Sequence, residues 1–179
     1  MEKELFSAKK YALICSPWVS PSFAKKIIQL VDKNVQVRLI TSNQQQEGKF
    51  DTLEMLRDFT SPPKDFLGRS KKGWTPPPFD YKIIEDAFIH AKIYVIDGTY
   101  AVVGSANLTE YGLWKNVEHI VMTHTPEDVA HIESDYEHLW TFYEEHELVE
   151  ERISIINNMW NKLRNIKDTT QKIVKKEQS

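Results

Sequence analysis

Between positions 90 and 107 the chain carries a histidine, a lysine, an aspartate, a serine and an asparagine at spacings that could hold a phosphate. The stretch reads His90-Ala91-Lys92-Ile93-Tyr94-Val95-Ile96-Asp97, followed by Gly104-Ser105-Ala106-Asn107. His90 and Lys92 stand two apart at the start of an apolar, β-branched run, which predicts a strand (Ala91 to Ile96) with both side chains on one face. Asp97-Gly98 is a two-residue hairpin signal. The chain therefore turns back and delivers Gly104 to Asn107 beside the histidine and lysine. Gly104 has no side chain to keep a ligand from the backbone. Ser105 and Asn107 offer neutral hydrogen-bonding groups, and Lys92 offers a cation. Together they describe a cradle for a phosphodiester with an imidazole at its centre.

The elements that must position this cradle are legible along the chain. Tyr11 to Cys15 is a short apolar run closed by Ser16-Pro17, a buried strand followed by a turn. Ser20-Pro21 opens a helix, with serine suited to the N-cap and proline to the first helical position. Phe23, Ile27, Ile28 and Val31 give that helix an apolar stripe, and Val35 to Thr41 alternates as a second strand. Strand, helix and strand make a βαβ unit, which implies parallel pairing. Asp51 to Phe59 predicts a short helix. Thr60 to Asp80, with five prolines and several cations, predicts a long basic loop. Strand signals follow at Tyr81 to Ile84, Tyr100 to Val103 and Val117 to Met122. Pro126 to Tyr143 predicts an amphipathic helix carrying Val129, Ile132, Tyr136, Leu139 and Trp140 on one face. Val149, Ile153, Ile156, Trp160 and Leu163 mark a further helix before a lysine-rich tail. No internal repeat is visible.

Composition bounds the reading. The chain has 179 residues, 41% hydrophobic and 27% charged, with a formal net charge of −3. One well-packed domain fits that length, and no global basic field advertises nucleic acid. Cys15 is the only cysteine, so neither an intramolecular disulfide nor a zinc cluster rich in cysteine is available. The N-terminus has charges spread through it and lacks the apolar core of a signal peptide. No apolar run approaches the roughly 20 residues that cross a bilayer. These features lead us to expect a cytoplasmic protein without a membrane partner. His131 and His138 are seven apart on a predicted helix with no further ligand in sight, and His119, His124 and His146 have no company either, so no metal site is expected.

The His-x-Lys-x4-Asp-x6-Gly-Ser-x-Asn pattern resembles the signature of the phospholipase D superfamily, with every specified position present at its spacing. The resemblance covers roughly residues 10 to 145. It implies an α/β sandwich, with a central mixed sheet flanked by helices on both faces, over a domain of residues 1–146. Residues 147–179 remain a C-terminal helical extension. The resemblance also implies catalytic roles. His90 would attack phosphorus and form a phosphohistidine; Lys92 and Asn107 would hold the non-bridging oxygens, and Ser105 would support the same phosphate. Glu118 would orient the histidine by accepting from its other nitrogen. Asp97, although part of the signature, sits at the hairpin turn and reads as structural. The family's chemistry needs a second histidine to protonate the leaving oxygen, and one motif without a repeat implies a homodimer whose two motifs meet across a two-fold axis. Two coupled imidazoles predict a bell-shaped pH profile, and the mechanism calls for no metal or other cofactor.

Several residues carry two readings. Trp18 follows the first strand, either at the rim of a substrate groove or in the core. Lys64, Arg69, Lys71, Lys72 and Trp74 mix cations with an aromatic as nucleic-acid grooves do, or else form a solvated surface loop. The C-terminal stripe from Val149 to Leu163 suits packing, a dimer contact or a short coiled coil. The leading functional expectation is a metal-independent nuclease acting on DNA or RNA. The alternatives are a lipid phosphodiesterase or transphosphatidylase, which would want a membrane-docking surface that the sequence does not display, and a binding module belonging to a larger restriction or helicase-type protein.

Overall fold

The structure is a computed structural model that describes residues 1–42, 49–84 and 89–144. The helix expected beyond Glu147 lies outside the described residues. Contacts divide the chain into two compact units, Met1–Leu139 and Trp140–Ser179.

The described elements are α1 (Glu2–Leu5), β1 (Tyr11–Cys15), α2 (Pro21–Val31), β2 (Gln36–Ser42), α3 (Lys49–Thr60), β3 (Phe79–Ile84), β4 (Ile93–Ile96), β5 (Tyr100–Gly104), a π-helical turn (Tyr111–Lys115) and β6 (Ile120–Thr123). A further helix, α4, covers residues 126–144. The six strands form one mixed sheet in the order β3-β2-β1-β4-β5-β6. β1, β2 and β3 are parallel, whereas β4, β5 and β6 run antiparallel to their neighbours. The α/β sandwich expected from the sequence is present.

β1 lies inside the sheet and is covered on both faces, which is why four successive residues, Ala12 to Cys15, are buried without alternation. On one face, Ala12, Ile14, Val37, Leu39, Tyr94 and Val102 pack against Phe23, Ala24 and Ile27 of α2 and Leu56 of α3. On the other face, α4 is fixed to β2: the Tyr136 hydroxyl donates to the Arg38 carbonyl at 2.9 Å, and the Arg38 guanidinium pairs with Glu137. Ser20 and Pro21 take the cap and first helical positions of α2, as expected.

The β4–β5 hairpin turns through Asp97 and Gly98, both at positive φ (53° and 64°), with the Thr99 amide donating to the Ile96 carbonyl at 3.0 Å. That is the geometry favoured by the right-handed strand twist. The Asp97 carboxylate accepts from the backbone amides of Lys9, Lys10 and Tyr11 at 2.8 to 3.0 Å, lashing the entry of β1 to the turn.

Candidate active site

The C-terminal ends of β1 and β2, the N-terminal approach to β4 and the C-terminal end of β5 converge at one end of the sheet. Cys15 pairs with Ile93, and Ile93 with Val103, which sets the levels. Buried hydroxyls build the floor. Thr41 and Ser42 donate to the Pro17 carbonyl, and Ser16 donates to the Trp18 carbonyl at 2.7 Å. The Ser16 oxygen also accepts from the Leu108 amide at 2.9 Å, while the Leu108 carbonyl accepts from the Ser20 amide at 3.0 Å. Tyr94, inside β4, donates to the Ala106 carbonyl at 2.8 Å. The Gly-Ser-x-Asn segment is therefore clamped from both sides, and Asn107 sits between two anchored residues.

His90 is exposed at the mouth of this end, and Lys92 is buried beneath it, with 3% exposure. Both lie just before β4 rather than within it, so the strand expected from Ala91 begins two residues later. The Lys92 ammonium donates to the His90 carbonyl at 2.8 Å. Burial pulls the Lys92 pKa below the ordinary lysine range, while Cys15 and the charge of Glu118 pull the other way. Burial also pushes the Cys15 thiol up to about 12, which keeps it neutral beside the cation.

Glu118 precedes β6 instead of lying on it, because β6 starts at Ile120 rather than Val117. Its carboxylate accepts from the Ser105 hydroxyl and from the Asn116 amide, the latter at 3.1 Å. The Ser105 bond, then the Asn116 bond, holds the Glu118 pKa below the ordinary carboxylate value against its burial. The Ser105 oxygen also accepts from the His119 amide at 2.9 Å. The Ser105 hydroxyl therefore points its proton at the Glu118 carboxylate, with the His119 carbonyl a longer 3.4 Å away. The Asn107 amide oxygen is buried and has no hydrogen-bond partner. A buried orphan acceptor costs about 1–3 kcal/mol, and an N–H or O–H donor arriving at the site would relieve it.

Asp97 belongs to the signature but stands at the opposite end of β4 from His90, tied to the backbone of residues 9–11, in keeping with its structural reading from the hairpin turn. Two other expectations need correction. Gly104 does make room, but for the protein itself. A Cβ there would stand 2.3 Å from the His119 carbonyl and 2.7 Å from the Ile120 Cα, so the glycine lets β6 and the Glu118 segment pass close by. The basic loop is rooted away from the site. Phe59 packs on Phe79, and Phe79 pairs with Val37, five residues before Ser42, or about 16 Å along the strand. Lys64, Arg69, Lys71 and Lys72 are exposed on that loop and Trp74 is half-buried. Trp18 is half-buried at the site end of β1.

The residues missed in the sequence are Ser16, Tyr94 and Gly112. Ser16 is a lone hydroxyl closing an apolar strand, and Tyr94 a lone hydroxyl inside one; both are signals that a polar group has a buried partner. Gly112, in the π-helical turn, is packed so closely that a Cβ would stand 2.3 Å from the Asn107 carbonyl oxygen.

Comparison with known proteins agrees with this geometry. The family model described as "Cardiolipin synthase, PLD-like domain" matches residues 1–140. The chain is 26% identical over 142 residues to a mitochondrial cardiolipin hydrolase of Xenopus laevis, covering 79% of this chain and 60% of that protein. It is 26% identical over 124 residues to the Xenopus tropicalis protein of the same name, covering 69% and 51%. The chain thus spans about half to three fifths of the length of these curated relatives. Among solved structures, NucT from Helicobacter pylori superposes with a TM-score of 0.57 at 16% identity, covering 78% of this chain and 84% of that one. Nuc from Salmonella typhimurium, a phospholipase D family member, superposes with a TM-score of 0.58 at 15% identity, covering 78% and 83%. These likenesses show the fold. The motif, the sheet that presents it and the family model matched over most of the chain converge on one conclusion: the protein belongs to the phospholipase D-like (PLD-like) domain family.

Proposed function

We propose that the chain is a metal-independent nuclease whose active site is completed by a second copy of itself. The observation that carries the reading is an exposed histidine, His90, next to a buried cation, Lys92, whose ammonium is bonded to the histidine's own backbone carbonyl. His90 attacks phosphorus, forming an N–P bond as the P–O ester bond breaks. The His90 of the partner copy gives its proton to the leaving oxygen and then takes one from the water that attacks the phosphohistidine. That second attack breaks the N–P bond and returns the free imidazole. Lys92, with Asn107, meets the charge that gathers on the phosphoryl oxygens in both steps. Glu118, held by Ser105 and Asn116, supplies the carboxylate that orients His90 and offsets the Lys92 charge.

The choice of substrate rests on the openness of the site. His90, Gly104, Ser105, Asn116 and His119 are all exposed. A polyanionic strand can pass along such an edge and present one phosphodiester after another. A lipid phosphodiester is the second reading. It is favoured by the likeness to the cardiolipin hydrolases and by the exposed Tyr111, Trp114 and Val117 flanking the Glu118 segment.

The deciding experiment is cleavage of labelled single- and double-stranded DNA and RNA in excess chelator, wild type beside His90→Ala. Cleavage that survives chelation and vanishes in the variant supports the proposal. Hydrolysis of a chromogenic phosphodiester and of cardiolipin, without nucleic-acid cleavage, transfers the site to lipid. No His90-dependent hydrolysis on any of these substrates overturns it. Sedimentation of the wild type as a monomer at assay concentration would remove the shared-site part.

A further inference from the structure

The basic loop before β3 is built around one carboxylate. Asp65 accepts from the backbone amides of Leu67 and Arg69 at 2.9 Å and from the Arg69 side chain at 3.1 Å. The Asp65 amide donates to the Arg69 carbonyl at 2.8 Å, the Gly68 amide to the Asp65 carbonyl at 2.9 Å, and the Lys71 amide to the Pro63 carbonyl at 2.9 Å. Gly68 takes φ +76° to close the turn, with open space around it. The result is a small pinned hairpin whose tip is Phe66-Leu67. Phe66 is 94% exposed and Leu67 60% exposed.

Two large apolar side chains held out in water by a rigid turn gain nothing from folding, since folding leaves their surface wet. Around them stand Lys64, Arg69, Lys71 and Lys72, four cations against the single carboxylate, in a chain whose net charge is −3. These cations line a shallow open groove of about 440 Å³ with Pro63, Asp65 and Ser70. An apolar tip in a basic collar matches the layering of an anionic bilayer surface, with acyl chains beneath and lipid phosphates above. Stacking on single-stranded nucleic acid fits less well. One of the two tip residues is aliphatic, and Trp74, the larger aromatic, is half-buried.

We infer that the Phe66-Leu67 tip and its collar of Lys64, Arg69, Lys71 and Lys72 form a docking element for an anionic lipid bilayer. The loop is rooted at the end of the sheet opposite His90, so docking localises the protein and leaves the active site free of the membrane surface. The inference fits the proposed nuclease reading, under which the site does not need to meet the membrane, and its binding test is read separately from that reading.

The test is vesicle flotation of the full chain, wild type beside a Phe66→Ser/Leu67→Ser double variant. Vesicles of phosphatidylcholine alone are compared with vesicles of phosphatidylcholine mixed with phosphatidylglycerol. Wild type is expected to float with the mixed vesicles only and to be released by added salt. Binding of the double variant should be weaker by about tenfold or more, given the area that two such side chains bury. Its thermal melt and its hydrolysis of a chromogenic phosphodiester should match wild type, because neither side chain is packed. Three outcomes overturn the inference: no binding to mixed vesicles, equal binding to both kinds, or a double variant that binds as wild type does. A double variant that instead loses affinity for a single-stranded oligonucleotide would reassign the tip to nucleic acid, which also overturns it. Failure of the chromogenic assay in wild type would count against the proposed active site and not against the loop.

Discussion

The Lys92 ammonium and the His90 backbone carbonyl are joined by a 2.8 Å hydrogen bond, so the buried cation of the site is held by the main chain of the residue proposed to attack phosphorus. Lys92→Met removes the charge and keeps the stem. We expect hydrolysis of a chromogenic phosphodiester to fall by about 10²–10³-fold, the usual cost of losing one preorganised charge partner. The melting temperature should hold or rise, since an apolar isostere ends the desolvation of a buried ammonium. Lys92→Arg should fail as well, because a planar fork does not fit a pocket shaped for a point charge. Because burial depresses the Lys92 pKa, loss of its charge should come below the range where an ordinary lysine titrates, on the alkaline side of the limb set by the general-acid histidine. A Lys92→Met variant with wild-type activity would remove the lysine from the mechanism.

Ser105 and Glu118 form a pair, and their substitutions should not add. Glu118→Gln is expected to lower kcat by about 10–10²-fold and Ser105→Ala by less, with the double variant close to Glu118→Gln alone. The pH profile offers a separate reading. The Ser105 hydroxyl is the first cause of the lowered Glu118 pKa, and it favours the charged form. Removing it in Ser105→Ala raises that pKa, so the acid limb of activity moves to higher pH. Additive losses with an unmoved acid limb would mean that Ser105 acts on the substrate directly.

Asp97 should matter for stability and not for chemistry. Its burial raises its pKa, and the amides of Tyr11, Lys10 and Lys9 more than reverse this, leaving the folded value below the unfolded one. A depressed carboxylate contributes stability that is present above its unfolded pKa, about 3.9, and lost as pH falls through the folded value. Asp97→Asn should therefore cost roughly 2–3 kcal/mol near neutrality, the scale of charge-assisted bonds lost from a fixed backbone. The gap between wild type and variant should narrow steadily in denaturant melts below about pH 4. Its kcat, measured well below the melting temperature, should equal wild type.

The architecture was legible because its signals are periodic and local. The apolar run Tyr11 to Cys15, the Ser20-Pro21 helix start and the Asp97-Gly98 turn each encode their element within a few residues. The cradle was legible as a set of residues, because a six-position pattern at fixed spacing is specific. Its internal wiring was not. That the Ser105 proton goes to Glu118, and that Gly104 serves β6 rather than a ligand, depends on how two segments meet after folding. The basic loop shows the same limit. Its cations are visible in the sequence, but its distance from the site follows from Phe79 pairing with Val37, and its apolar tip follows from Asp65 pinning the turn.

Gly112 offers the sharpest test of how Asn107 is placed. The Asn107 amide oxygen has no hydrogen-bond partner, so the position of this side chain depends strongly on its backbone. That backbone is pressed by the π-helical turn: a Cβ on residue 112 would stand 2.3 Å from the Asn107 carbonyl oxygen and 2.8 Å from its amide nitrogen. The turn cannot easily retreat, because the Gly112 amide donates to the Thr109 hydroxyl at 3.0 Å and the Leu113 amide to the Thr109 carbonyl at 2.9 Å. In Gly112→Ala the Asn107 backbone must therefore shift. We expect a stability loss of about 1–3 kcal/mol from overpacking. Activity should fall by about 10²-fold through misplacement of the Asn107 amide. Asn107→Ala should lose similar activity with little stability, and adding Gly112→Ala to it should lower stability without lowering kcat further. A Gly112→Ala variant that melts early yet keeps wild-type kcat would separate the packing from the chemistry and leave the placement of Asn107 to the Ser16 and Tyr94 clamps alone.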